Sequence, residues 1–334
     1  YLLARTLSLR RGASLLAGLT YQGAGFFTIS VLFPMIISGA AWLPLLMAAL
    51  YRIRPRPEAP PWTTRLAWAS VGAVAVGLAA LAGHPEVLYY TLLVGAAWGL
   101  WLLVEGWRQG RGALSAYVAS GLFTVVVGLM LGAAQLLPLY EAASANFREG
   151  SVPLEEVLGY AWPPRQASSF LVPDLLGNPA RHDFYNLESG QWEPIVTQEP
   201  LNAAGATADL DHVAWFKGTP DWKNYGEGAG YLGILPLLLA VVGAVASRRR
   251  ERFFLLGLAA LSLLFIFGSP LYGLLFHTLP GFQQLHTPFR WVWPLTLAVA
   301  LLAALGWQRL RDDETRLGGA LGGLALLAGG GGLA

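Results

Sequence analysis

The chain has no cysteine and few charges: only 13% of its 334 residues are Asp, Glu, Lys or Arg. Without cysteine there is no disulfide framework, no thiol nucleophile and no thiolate metal site. The scarcity of charge excludes more. At 55% hydrophobic residues and a mean hydropathy of +0.50, the polar surface is too small to clothe a soluble globule of this size, so the composition is that of an integral membrane protein. The formal net charge of +2 carries little information, since charges of opposite sign belong on opposite sides of a bilayer. Three catalytic signatures are also missing: no GxxxxGK[ST] phosphate loop, GxSxG elbow or HExxH helix occurs. Nor does an internal repeat mark the paired halves of a transporter. The first residue is not Met, no signal peptide is present and the last residues run through an apolar segment, so both ends are expected to be internal to a longer protein.

What is present is one apolar segment after another. A membrane span needs about 20 mainly apolar residues, with some tolerance through tilt. Nine segments meet that test, at roughly 13–33, 35–51, 66–82, 87–104, 114–137, 229–246, 253–267, 292–308 and 317–334. The expected fold is therefore an all-α polytopic membrane protein with about nine transmembrane helices. It divides into a first bundle of about five helices (1–138), a loop region (139–228) and a second bundle of about four (229–334). Alternate connections differ sharply in basic residues. Arg5, Arg10, Arg11, Arg52, Arg54, Arg56, Arg65, Arg108, Arg111, Arg248, Arg249, Arg250, Arg252, Arg309, Arg311 and Arg316 fall in one set, and only Arg148, Arg165, Arg181, Lys217, Lys223 and Arg290 in the other. The richer set is predicted to be cytoplasmic, which puts the long loop on the extracytoplasmic face of the membrane. The Arg-rich runs adjoin spans, as stop signals beside anionic lipid do, so no nucleic-acid partner is expected. Trp42, Trp62, Trp68, Trp107, Trp291 and Trp307 lie near span ends, where indole rings anchor at the headgroups.

Region 139–228 is the only long polar run, with thirteen Asp/Glu against five Lys/Arg. Chemistry on a water-soluble group is expected beneath or beside it. Three places bring ionisable side chains to that face. In GHPE (83–86), a tight turn holds His84 and Glu86 at the water boundary. A partly desolvated carboxylate there can act as a base, although Glu86 behind Pro85 suits the first turn of a helix, where the dipole favours it, and that capping role is the more common one. In LYEAASANFREG (139–150), Glu141 and Arg148 lie two helical turns apart, and Arg148 has the planar fork that grips phosphate; a surface pair or interfacial anchor is the alternative. HTLPGFQQLHTPFRW (277–291) places His277, His286 and Arg290 in a bent connection. Two isolated histidines make a weak metal signal. DLDH (209–212) could contribute to a divalent-ion site only with further ligands. SSFLVPDLLGNP (168–179) is an apolar patch expected to dip onto the bilayer or cover a cavity.

Several stretches together resemble the bacterial YfhO family of multispanning membrane proteins, which belongs with the GT-C membrane glycosyltransferases. They are YLLARTLSLRRGASLLAGLTY, WLPLLMAALYR, AGHPEVLYY, AAQLLPLYEAASANFR, PDLLGN, NYGEGAGYLGILPLLLA and LPGFQQLHTPFRWVWPLTLAVALLAALGW, in that order over nearly the whole chain. The resemblance implies a sugar donor carried on a polyprenyl phosphate and transfer to a cell-envelope acceptor. It implies direct displacement, in which a carboxylate takes the acceptor's proton while cations, sometimes with a divalent metal, stabilise the departing lipid phosphate. In such enzymes the principal acidic residue lies in the first outer loop, which these residues do not include. The candidates carried over are Glu86 as a second carboxylate, and His84, Glu141, Arg148, His286 and Arg290 around the donor and acceptor. A lipid-linked polymer ligase or flippase, and a non-catalytic envelope or transport protein, are the rival classes.

Overall fold

The computed structural model describes residues 1–144, 152–177, 183–186, 189–194, 226–285 and 287–312. Helix prevails because an apolar chain in hydrocarbon must satisfy every backbone N–H and C=O within itself. In chain order the α-helices are α1 (Leu2–Thr6), α2 (Arg11–Gly23), α3 (Gly25–Ile29), α4 (Pro34–Ala40), α5 (Leu43–Ile53), α6 (Trp62–Leu81), α7 (Pro85–Glu105), α8 (Arg111–Leu131), α9 (Ala133–Ser144), α10 (Leu154–Gly159), α11 (Ile234–Ala246), α12 (Glu251–Ile266), α13 (Pro270–Thr278) and α14 (Val292–Asp312). Proline stands in the first turn of α4, α5, α7 and α13, where its missing N–H costs nothing.

Among the described residues, five helical segments are long and apolar enough to cross a membrane: Pro34–Ile53, Trp62–Leu81, Pro85–Glu105, Arg111–Leu131 and Pro288–Asp312. Two bent pairs raise the number to seven: α2 with the helical run to Leu32, bent by 46°, and α12 with α13, bent by 96°. The first sequence segment is therefore broken at Ala24, whereas the seventh, 253–267, is helical as expected and the chain turns back just after it, at Gly268 (φ +65°), Ser269 and Pro270. Segment 229–246 is helical only over the 13 residues of α11. Its start is extended because the Tyr231 carbonyl accepts from the Gly25 N–H at 2.7 Å, and a Cβ at Gly230 would run into Trp162. The ninth segment, 317–334, lies outside the described residues, as does DLDH.

Helix α14 is the centre of the bundle. Every residue from Val292 to Gly306 is buried, whereas only 17% of the apolar window of α8 is, which puts α8 on the rim. Small residues bring two helix pairs together. On α11 and α14, Gly243 faces Gly306 so closely that a Cβ on either would overlap a carbonyl oxygen of the other helix, Leu302 or Leu239. On α6 and α8, Gly72 faces Thr124 and Gly77 faces Leu131. Inside the bundle, the Tyr21 hydroxyl accepts from the Trp293 indole N–H at 2.6 Å and donates to the Ala40 carbonyl at 3.0 Å. Trp291, expected at the headgroups, is instead 3% exposed and packs against Phe265 and Tyr90. Trp62 and Trp107 remain exposed as anchors would be.

The Arg-rich connections come together at one end. Arg249 donates to the Leu7 carbonyl (2.8 Å), the Arg10 N–H to Gln308 Oε1 (3.0 Å) and the Tyr51 hydroxyl to Glu251 Oε1 (3.0 Å). At the other end lie the GHPE turn, the approach to α14 and the described parts of the long loop. There Trp162 is pinned by its indole N–H on the Glu227 carbonyl (2.9 Å), and Gln166 Nε2 donates to the Gly228 carbonyl (3.0 Å). In the SSFLVPDLLGNP patch, Phe170 packs at a tilt against Trp162 and Leu176 is buried, while Leu171 and Val172 stay exposed. A two-stranded antiparallel hairpin, β1 (Asp183–Asn186) and β2 (Gln191–Pro194), pairs Tyr185 with Trp192.

Candidate functional site

The site is assembled from two stretches about two hundred positions apart in the chain. The first is the turn before α7. Gly83 takes a left-handed backbone (φ +77°) that reverses the chain after α6, and His84 follows as the N-cap of α7. His84 Nδ1 accepts from the Val87 N–H at 3.3 Å, Pro85 occupies the first turn and Glu86 comes next. Glu86 is thus at the positive end of the helix dipole, as the capping alternative required. The second stretch is the short 3-10 turn Pro288–Trp291 that leads into α14, preceded by Thr287.

Tertiary packing lays these two stretches against each other. Arg290 forms an ion pair with Glu86 Oε2, and the Thr287 hydroxyl donates to Glu86 Oε1. Arg290 Nη1 also lies 3.0 Å from His84 Nε2. The pair is largely removed from water, with 20% of the Arg290 side chain and 11% of the Glu86 side chain exposed. Such a pair owes its persistence to complete hydrogen bonding, since desolvation offsets much of the Coulomb attraction. Burial, and then the neighbouring Arg290 charge, push the His84 imidazolium down to about 4, so the ring is neutral at physiological pH. A neutral imidazole has one acceptor nitrogen, yet His84 meets a donor at each. Behind Glu86 stands an aromatic wall of Tyr90, Tyr272, Phe265, Phe282 and Trp291. The Tyr90 and Tyr272 hydroxyls and the Trp291 indole N–H are buried there without a hydrogen bond of ordinary geometry.

His84 and Arg290 open onto a cavity of about 800 Å³. Its walls are apolar, built from Phe26 and the run Ile29 to Ile36 beyond the α2–α3 break, with Phe289 and Val292 from the approach to α14. Glu227 lines it as well. This volume is within the range of small-molecule sites, about 300–1,000 Å³, and the combination of many apolar walls with a few convergent polar groups is typical of them. A smaller cavity of about 250 Å³ adjoins, between Gly25, Pro173, Asp174 and Tyr231, so the PDLLGN stretch closes that side.

Of the residues singled out from sequence, His84, Glu86 and Arg290 are brought together. Glu141 is exposed on α9 and is not on the cavity wall. Arg148 and His286 lie outside the described residues. His277 is exposed near the end of α13, with its ring against Phe276. Among the described residues no three His, Asp or Glu gather as metal ligands. Sequence reasoning missed Thr287, Glu227 and the α2–α3 break. Thr287 had a signal in its position within HTPFR, three residues before Arg290, and Glu227 had one in the Gly-flanked GEG that leads back to apolar sequence. Compared with family models, curated proteins and solved structures, the chain matches none, so its function is argued from this site and from the resemblance in its sequence.

Proposed function

We propose that this chain is part of a membrane glycosyltransferase of the GT-C type, similar to the YfhO family, that moves a sugar from a polyprenyl-phosphate donor to a cell-envelope acceptor. The reading includes nine spans, the Arg-rich end in the cytoplasm and the cavity on the extracytoplasmic face. The observation that carries it is the cavity itself: long apolar walls ending in a corner of hydrogen-bond donors, His84 and Arg290, with the Glu86 carboxylate directly behind. An isoprenoid chain suits the walls, and a phosphate oxygen suits the donors. Glu227 also lines the cavity, and in this reading its carboxylate contacts sugar hydroxyls. The sugar itself enters through the resemblance, which also puts the principal acidic residue in an upstream outer loop. In this scheme the phosphate leaves toward Arg290 and His84, and Glu86 serves as a second carboxylate able to take a proton from the acceptor.

The test is sugar transfer from radiolabelled undecaprenyl-phosphate donors by the full-length protein in liposomes, with Glu86→Gln, Arg290→Ala and Arg148→Ala beside it. Transfer that falls by about 10²-fold or more in Glu86→Gln and Arg290→Ala is the expected result, as for removal of a general base or an electrostatic stabiliser. Full activity in both variants refutes the site, and absence of transfer by the wild type refutes the chemistry. A flippase for the same lipid is a second reading, favoured by the two bent helix pairs, because discontinuous helices frame many transport sites. Translocation of fluorescent lipid phosphate without sugar transfer would select it.

A further inference from the structure

Arg290 stands between a carboxylate, an imidazole and the cavity. Glu86 holds it from behind through the ion pair, His84 Nε2 lies 3.0 Å from Nη1, Phe289 flanks its guanidinium at 6.0 Å, and the residue lines the cavity. Glu86 does not depend on Arg290 alone, since Thr287 holds its other oxygen. His84 is less well matched. With Nδ1 accepting from Val87, the neutral ring carries its proton on Nε2 and points it at a guanidinium that has only donors. One acceptor oxygen placed between Nε2–H and Arg290 would satisfy both.

We propose that Arg290 is a shared cation, latched by Glu86 in this structure and drawn off it when the phosphate of a single-chain lipid monoester enters the cavity, which leaves Glu86 on Thr287 as an unpaired carboxylate. The ligand class follows from the corner and the walls together: a tetrahedral oxyanion for two convergent donors, on a long apolar chain. The proposal rests on the reading of this cavity as a lipid-phosphate site and adds how the site is switched. A carboxylate relieved of its cation is a stronger base, so binding of the donor would ready Glu86 only once the leaving group is in place. Glu86 and the phosphate then compete for one guanidinium, and that competition is measurable without any sugar transfer.

The experiment is equilibrium binding of farnesyl phosphate to the full-length protein in detergent, with farnesol and inorganic phosphate as the other two arms. Glu86→Gln, which keeps the shape and removes the competing charge, is expected to bind farnesyl phosphate at least about tenfold more tightly than wild type, the equivalent of about 1.4 kcal/mol. Glu86→Asp, too short to reach both Thr287 and Arg290, falls between the two, and it carries the test if the Gln variant fails to fold. Arg290→Gln loses binding. Farnesol and free phosphate bind at least about tenfold more weakly than the combined molecule if walls and corner act together. Farnesyl phosphate bound equally or more weakly by Glu86→Gln and Glu86→Asp, with Arg290→Gln still inactive in binding, overturns the latch and leaves the lipid-phosphate site standing. No binding of farnesyl phosphate by wild type, or equal binding of free phosphate, overturns the site and the latch with it.

Discussion

Substitution of Gly306 by alanine tests the packing on which the cavity depends. A methyl group at Gly306 would overlap the Leu239 carbonyl oxygen and stand 2.8 Å from the Gly243 amide nitrogen. Carbon contacts normally settle near about 3.5–4.0 Å, so α11 must retreat by about 1.5 Å, a gap that forfeits about half or more of each dispersion contact along the crossing. Overpacking usually costs about 1–3 kcal/mol. Here both obstacles are backbone and no side chain can swing aside, so the upper part of that range, about 2–3 kcal/mol, is expected. Gly121→Ala on α8 is the control, because nothing lies within 4 Å of its Cβ position. Alanine there should stabilise the helix by up to about 1 kcal/mol. The assay is denaturation of the purified protein in detergent, followed by tryptophan fluorescence, for Gly306→Ala, Gly243→Ala and the double variant. Once the crossing has opened, the second methyl enters at little further cost, so the double variant should fall well short of additivity. Gly306→Ala as stable as Gly121→Ala, or strictly additive single effects, would refute the reasoning.

Three further outcomes are expected. The folded His84 ring is held near 4 against an ordinary value of 6.5, so the stability its neutral form contributes is present above about pH 6.5 and lost as pH falls through about 4. At this half-buried ring the loss is about 1–2 kcal/mol after solvent screening, and melting temperatures between pH 7 and 4 should show a slope that His84→Gln flattens. Tyr21→Phe leaves the buried Trp293 indole N–H and the Ala40 carbonyl without their partner, costing about 1–3 kcal/mol by the same denaturation assay. Ile29→Trp fills part of the large cavity and should weaken farnesyl phosphate binding by about tenfold or more, about 1.4 kcal/mol, with the melting temperature unchanged.

Hydropathy revealed the long helices because a span's demand for apolar residues is local and additive, as Trp62–Leu81 and Pro85–Glu105 illustrate. It overlooked breaks where the chain stays apolar while the backbone turns. Segment 253–267 stops just before the Gly268-Ser269-Pro270 turn signal, as the helix does, whereas the extended start of 229–246 depends on Trp162 and Gly25, which no local pattern encodes. The GHPE turn was legible, including its double character as cap and candidate site, because Gly, His and Pro each have a fixed local meaning. The pairing of Glu86 with Arg290 was not, since the two lie 204 positions apart and only the packing of α7 and the approach to α14 brings them together. Trp291 shows the reverse error. Its place next to a span end suggested lipid contact, but the connection folds inward and the ring joins the aromatic wall behind Glu86.

The enclosure of α14 on all sides bears on how the protein is made. Ribosomes deliver the chain from its N-terminal side, so α2, α11 and α12 enter the bilayer before the helix they will pack against. Until α14 arrives, the Tyr21 hydroxyl has only the Ala40 carbonyl, the notch beside Gly243 on α11 is unfilled, and the Glu86 carboxylate lacks Thr287 and Arg290. The nascent bundle must therefore keep an open berth for its last described helix, and a chaperone or insertase that shields that berth would govern the yield of folded protein more than the hydropathy of any one span.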